Sequence, residues 1–211
     1  IIPSLSSCID EDEYSDSPSG NFEALWKIID EHYCFFDYKN VDWNAIHAKY
    51  KPQVAGDITT SQLFEVLGNM LGELQDGHVN LYSPFDVARY WKWHEDYPSN
   101  YSDTLISKYL GTDYRITSGM KYRILDDNTG YIRMPSFAYG IGAGNLDNIL
   151  YYLAPCQKLI IDIRDNGGGL LTSAQELAAR FTNEKILVGY MQHKTGKAHN
   201  AFSSLEPQYL K

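Results

Sequence analysis

Two short stretches carry residue types that could do chemistry. The first is Asp162-x-Arg164-x-Asn166-Gly167-Gly168-Gly169, where an apolar run, "KLIID", breaks into three consecutive glycines and a helical pattern resumes soon after. Main-chain N–H groups in such a loop, at the positive end of a following helix, suit an anion. That anion is either a phosphate or the oxygen that becomes negative when a peptide carbonyl is attacked. The phosphate signatures G-x-x-x-x-G-K-[ST] and G-x-G-x-x-G are both missing, so acyl transfer fits better than nucleotide binding. The structural alternative is a tight turn in which glycines only supply positive φ, an explanation that weakens as glycines accumulate. The second stretch is Asp76-Gly77-His78, at the end of a helical pattern. A histidine there caps carbonyls or acts as a base, and Asp76 is available to orient it, although adjacency in sequence does not make the bond.

Other candidates are weaker. Ser173 follows the glycines, but with Glu176 it reads as a capping box, a structural role. His32 and His47 fall on helical patterns, His94 in the aromatic stretch "YWKWHEDY", and His193 and His199 flank a late loop. None has the spacing of a metal ligand set, so neither a metal nor another cofactor is expected. The aromatic stretch is either a wall for a peptide or glycan, or a cover where helical part and sheet meet.

Several elements must position these residues. A helix from Asn21 places Phe22, Leu25, Trp26, Ile29 and Tyr33 on one side. A second starts at Asp42, with Trp43, Ile46 and Tyr50, and is limited by Pro52. A third, capped by Thr59 and Gln62, carries Leu63, Leu67, Met70, Leu71 and Leu74. Residues 82–118 carry no clear period. Beyond them strands at 120–125 and 130–134 flank a turn at Asp127–Gly130, followed by a helix at 145–153 and a buried strand at 158–163. A helix at 173–181 and a strand at 185–191 follow the glycine loop. Interleaved strands and helices imply an α/β layer architecture. The expected domains are a tether over residues 1–20, a helical subdomain over 21–80, and an α/β domain over 81–211.

Composition limits the partners. The 211 residues carry 18 Lys plus Arg against 27 Asp plus Glu, a net charge of −9, and no basic stripe suited to nucleic acid. No window is apolar for long enough to span a bilayer. Three cysteines without a CxxC pair indicate neither a disulfide framework nor a zinc site, and Cys34 and Cys156 read as buried thiols. Cys8 differs: Leu5-Ser6-Ser7-Cys8 resembles the lipobox of bacterial lipoproteins, and the acidic Ser/Pro/Gly-rich segment after it reads as a tether. Membrane contact is therefore expected only through a lipid on Cys8, in the bacterial cell envelope.

The order "LGELQDGHVNLYS", "GYIRMPSF", "KLIIDIRDNGGGLLTSAQELAARF" resembles the tail-specific (C-terminal processing) serine peptidases, including their tricorn-core and retinoid-binding-protein-like branches, from about Phe22 to Tyr190. The resemblance implies a crotonase/ClpP-like core of ββα units and cleavage of peptide or protein substrates. It implies oxyanion donors at Gly167 and Gly168, with Gly169 in support, so that a scissile carbonyl is what approaches the loop. In the tricorn-like branch the residue at His78 is the general base; in the other branch a lysine does that work. About forty residues separate His78 from the strand at 120, too few for a PDZ domain, which favours the histidine. The nucleophilic serine of the family lies after a further strand and matches neither Ser203 nor Ser204, so the chain reads as a fragment ending before it or a version that has lost it, and by itself is expected not to hydrolyse peptides by the family mechanism. The rival expectation is a non-catalytic lipoprotein that holds a peptide, glycan or lipid on the same fold.

Overall fold

The computed structural model describes residues 13–95 and 97–210, except for the side chain of Trp93. The lipobox and most of the tether thus lie outside the described residues. The chain forms two compact units, one of residues up to Tyr97 together with Gln192–Ser204, the other of Pro98–Met191 together with the segment from Leu205.

The first unit is built on helices α1 (Pro18–His32), α2 (Phe36–Lys39), α3 (Trp43–Tyr50) and α4 (Thr60–Gly72). Helix α1 starts before Asn21. The Ser17 hydroxyl caps it by accepting from the Gly20 N–H at 3.1 Å, and Pro18 fills the first turn, where its missing N–H costs nothing. The Asp42 carboxylate caps α3, and the Thr59–Gln62 capping box opens α4 as its sequence indicates. Phe22, Trp43, Met70 and Leu74 are almost completely buried in one core with Tyr33, Phe36, Tyr50, Val54, Leu67 and Leu71. Tyr33 and Phe36 face that core, which turns the intervening Cys34 outward; the expected buried thiol is exposed.

A hairpin of β1 (Asn80–Tyr82) and β2 (Val87–Arg89) packs on α4. Gly68 permits the approach, since a Cβ there would lie 2.6 Å from the Ala88 methyl. The segment 192–204 completes this unit. Its His199 ring stacks on Phe36 with centroids 4.5 Å apart, and its Nδ1 lies 2.6 Å from Asp30 Oδ1.

In the second unit, helix α5 (Asp103–Leu110) precedes strands β3 (Arg115–Thr117), β4 (Met120–Ile124) and β5 (Thr129–Arg133), which pair antiparallel in that order. Helix α6 (Ala143–Leu153) then crosses over to β6 (Lys158–Asp162), parallel to β5. The succession β4, β5, α6 is a ββα unit. Met120, Ile132, Met134, Leu146 and Ile149 form its core, joined by Leu177 of α7 (Leu171–Ala179).

Strand β6 departs from the expected buried strand. Among the described residues it pairs with β5 alone, at the end of the order β3-β4-β5-β6, and Leu159, Ile160 and the following Ile163 are exposed; only Asp162 within the strand is buried. A short apolar run does not distinguish a central strand from an edge strand with one covered face. A separate hairpin of β7 (Ile186–Met191) and β8 (Glu206–Leu210) ends the described chain.

Candidate functional site

The glycine loop hangs from Asp162, at the end of β6. The Asp162 carboxylate accepts from Tyr131 Oη at 2.5 Å, and from Arg164 Nε and Nη2 at 2.9 and 2.7 Å. The Arg164 bonds, reinforced by that of Tyr131, hold the Asp162 carboxyl well below the usual carboxylate range despite its burial. Burial and the carboxylate together push the Tyr131 phenol up. Asp162 is thus an anion at neutral pH, and its bonds to Tyr131 and Arg164 fix the direction in which the chain leaves the sheet.

Asn166 sets the next turn. Its Nδ2 donates to the Met134 carbonyl at 2.9 Å, and its Oδ1 accepts from the Gly168 N–H at 2.8 Å. Opposite, the Phe137 N–H donates to the Gly168 carbonyl at 2.8 Å and the Leu170 N–H to the Phe137 carbonyl at 2.9 Å. The three glycines are therefore needed for different reasons. Gly169, at φ +137°, lies so close to the 137–138 backbone that a Cβ would sit 2.2 Å from Ala138 N. Gly168 has φ +83° but open space around it, and Gly167 has neither a positive φ nor any atom within 4 Å of a built Cβ. At Gly169 what approaches the backbone is the chain's own Phe137–Ala138 segment. The supporting place expected for Gly169 thus has a steric cause within the chain, separate from any group that approaches Gly167 and Gly168.

Ser173 also has a different role from the one its spacing indicates. Helix α7 begins at Leu171 with Leu170 as an uncapped N-cap, so Ser173 is inside the helix, 2% exposed, and its Oγ donates to the Tyr139 carbonyl at 2.9 Å. The residue is structural, but as a tie to the 137–139 segment rather than as a helix cap.

His78 belongs to the first unit, in the turn after α4. Asp76 Oδ1 accepts from the His78 N–H at 3.0 Å and lies 3.1 Å from its Nδ1. With the proton on Nδ1, the ring donates to the carboxylate and leaves Nε2 as an acceptor. The imidazole is otherwise in the open, 97% exposed. Burial alone would raise the Asp76 carboxyl; bonds from the His78 N–H, the Tyr33 hydroxyl and the His78 ring, with Lys39 3.5 Å away, more than offset it and lower the pKa to about 2. The adjacency of Asp76 and His78 in sequence is therefore a real hydrogen-bonded pair. In the aromatic stretch, Trp91 carries the Arg89 guanidinium 4.9 Å above its ring, and Tyr97 is 75% exposed.

The residues sequence reasoning missed are Tyr131 and the 136–138 segment, which shape the loop together with Asn166, a residue the motif names without giving it this role. Their signal lay in "GYIRMPSF": Tyr131 and Ile132 alternate on β5, and the β5–β6 register brings Tyr131 opposite Ile160, within reach of Asp162. Among the described residues, no three His, Cys, Asp or Glu side chains converge as a metal site.

The sequence matches the Tricorn protease C1 domain over residues 14–72 and peptidase family S41 over residues 128–209. A crystal structure of a candidate peptidase from Parabacteroides merdae ATCC 43184 is 48% identical, with a TM-score of 0.84 and alignment over 93% of this chain. The chain spans 63% of the length of that relative. The photosystem II D1 C-terminal processing protease is 12% identical, covering 92% of this chain and 70% of its own, at a TM-score of 0.44. No curated protein matches the sequence. The chain belongs to the tail-specific peptidases, family S41, and its sheet with the ββα crossover is part of their crotonase/ClpP-like α/β core.

Proposed function

We propose that the protein is a serine-type endopeptidase of the tail-specific kind, acting on peptide or protein substrates. The observation that carries this reading is the glycine loop itself, a turn anchored by Asp162, Arg164 and Asn166 whose Gly167 faces open space within a matched peptidase region. In this reading Gly167 N–H and Gly168 N–H stabilise the tetrahedral oxyanion, and His78 accepts the proton of a serine hydroxyl. The Asp76 pair supports the histidine role by fixing the ring and leaving Nε2 outward. Gly168 can donate to an oxyanion only if Asn166 Oδ1 releases its N–H, so substrate binding has to move the Asn166 amide. No cofactor takes part in these steps, and the nucleophile is assigned to no residue of the chain.

A second reading, a non-catalytic binder of a peptide, glycan or lipid, is favoured by the same Gly168 bond, because an amide already satisfied internally is not poised for charge. We place either activity in the bacterial cell envelope with a lipid on Cys8. No described helix is long and apolar enough to cross a membrane. Labelling of the intact gene product by a fluorophosphonate separates the two readings. The peptidase is labelled and its His78→Gln variant is labelled at least about 10²-fold more slowly. A folded wild-type protein that resists labelling leaves the binder.

A further inference from the structure

The second unit contains a small recess between α5 and the β4–β5 hairpin, whose enclosed space of about 30 Å³ admits a group the size of one or two water molecules, the rest being open to solvent. Ile106 and Leu110 supply apolar wall, and of the four charged residues lining it, Lys121, Arg123 and Arg133 are cationic while only Asp103 is acidic. Asp103 accepts from Tyr101 Oη at 3.1 Å at the start of α5.

The cations are held in place without being neutralised. Arg133 is 4% exposed; its Nη1 reaches the Met134 and Asp162 carbonyls, both at 3.3 Å, and its guanidinium stacks 3.9 Å from the centre of the Tyr101 ring. The buried Nε–H of Arg133 has no hydrogen-bond partner. Arg123 is anchored by the Leu110 and Ile124 carbonyls, and Lys121 lies 4.8 Å from the Tyr114 ring centre. The carboxylate beside them, Asp162, is already taken by Arg164 and Tyr131. A guanidinium withdrawn from water with an unmet N–H, in a chain of net charge −9, calls for an anion from outside.

We infer that this recess binds a carboxylate carried on a short aliphatic body, the carboxylate against Lys121, Arg123 and Arg133 and the body along Ile106 and Leu110. The planar guanidinium and neighbouring ammonium match a carboxylate, and the apolar wall disfavours a bare inorganic anion. The inference does not depend on the peptidase reading, because none of Gly167, Gly168 or His78 lines the recess.

Calorimetric titration of the intact protein at neutral pH tests it, with hexanoate, hexanamide, inorganic phosphate and the dipeptide acetyl-Ala-Leu as free acid. Saturable binding of hexanoate or the dipeptide is expected, with none of hexanamide; the tighter of the two acids identifies the source as a free acid or a chain end. Arg133→Gln weakens binding by about tenfold or more, the loss typical of one charged hydrogen bond. Since that buried change can also impair folding, the more accessible Lys121→Gln and Arg123→Gln are measured beside it, each lowering affinity while the circular dichroism spectrum is kept. Equal binding of hexanoate and hexanamide, tighter binding of phosphate, absence of any binding, or unchanged affinity in both Lys121→Gln and Arg123→Gln overturns the inference.

Discussion

Three adjacent glycines differ in what they tolerate. Alanine at Gly169 drives a methyl into the Phe137–Ala138 backbone at a φ that side chains rarely adopt, so Gly169→Ala is expected to cost about 3 kcal/mol or more. Gly168→Ala pays only for its positive φ, about 1–2 kcal/mol, and Gly167→Ala stays within about 0.5 kcal/mol of wild type. Urea denaturation of the three variants checks the ranking, and equal losses at Gly167 and Gly169 would contradict it. His78 gives the complementary case. Its ring is almost fully exposed, so His78→Gln leaves the denaturation midpoint nearly unchanged while, on the proposed function, it lowers the peptidase activity of the intact gene product at least about 10²-fold. The residue types were readable from sequence, but the division of labour among the glycines was not. It depends on Phe137, thirty-two residues from Gly169 and adjacent to it only through a β-bridge.

At the scale of elements, local chemistry was legible where the partners are neighbours in sequence. The Thr59–Gln62 box and the Asp42 cap lie within three residues of what they bind. Ser17 acts over the same distance, yet its Ser-Pro signal sits inside a Ser/Pro/Gly-rich segment that reads as tether, and the start of α1 was misplaced for that reason. Ser17→Ala is expected to destabilise by about 1 kcal/mol, whereas Asn21→Ala, which the sequence alone marks as the cap, has a much smaller effect; thermal melts distinguish the two. The buried character assigned to β6 is not met among the described residues, where β5 is its one strand neighbour; strand order is a tertiary property that composition does not encode. The unassigned residues 82–118 hold three-residue strands and the eight-residue α5, too short for a period to emerge.

For the molecule as a whole, a net charge of −9 with no basic stripe argues against nucleic acid as a partner, and the order of motifs along the chain carried the family more securely than any one of them. Two depressed carboxylates, Asp76 and Asp162, make stability depend on acid. Each is ionised more readily folded than unfolded, so its contribution is complete above the unfolded value of about 4 and is lost as pH falls through the folded value. For Asp76 the loss runs from about pH 4 to about 2 and amounts to about 2 kcal/mol. Chemical denaturation as a function of pH therefore shows a plateau above about pH 5 and a fall below 4, and Asp76→Asn flattens part of that fall.

The central claim is that the Gly167 and Gly168 amides meet the charge that develops on a substrate carbonyl. Nuclear magnetic resonance of the intact, ¹⁵N-labelled gene product with a peptidyl boronate, which mimics the tetrahedral species, tests it most directly. The account predicts large shifts of the Gly167 and Gly168 amides together with the Asn166 side-chain amide as it releases Gly168. A tightly bound boronate that leaves all three resonances where they were would contradict it.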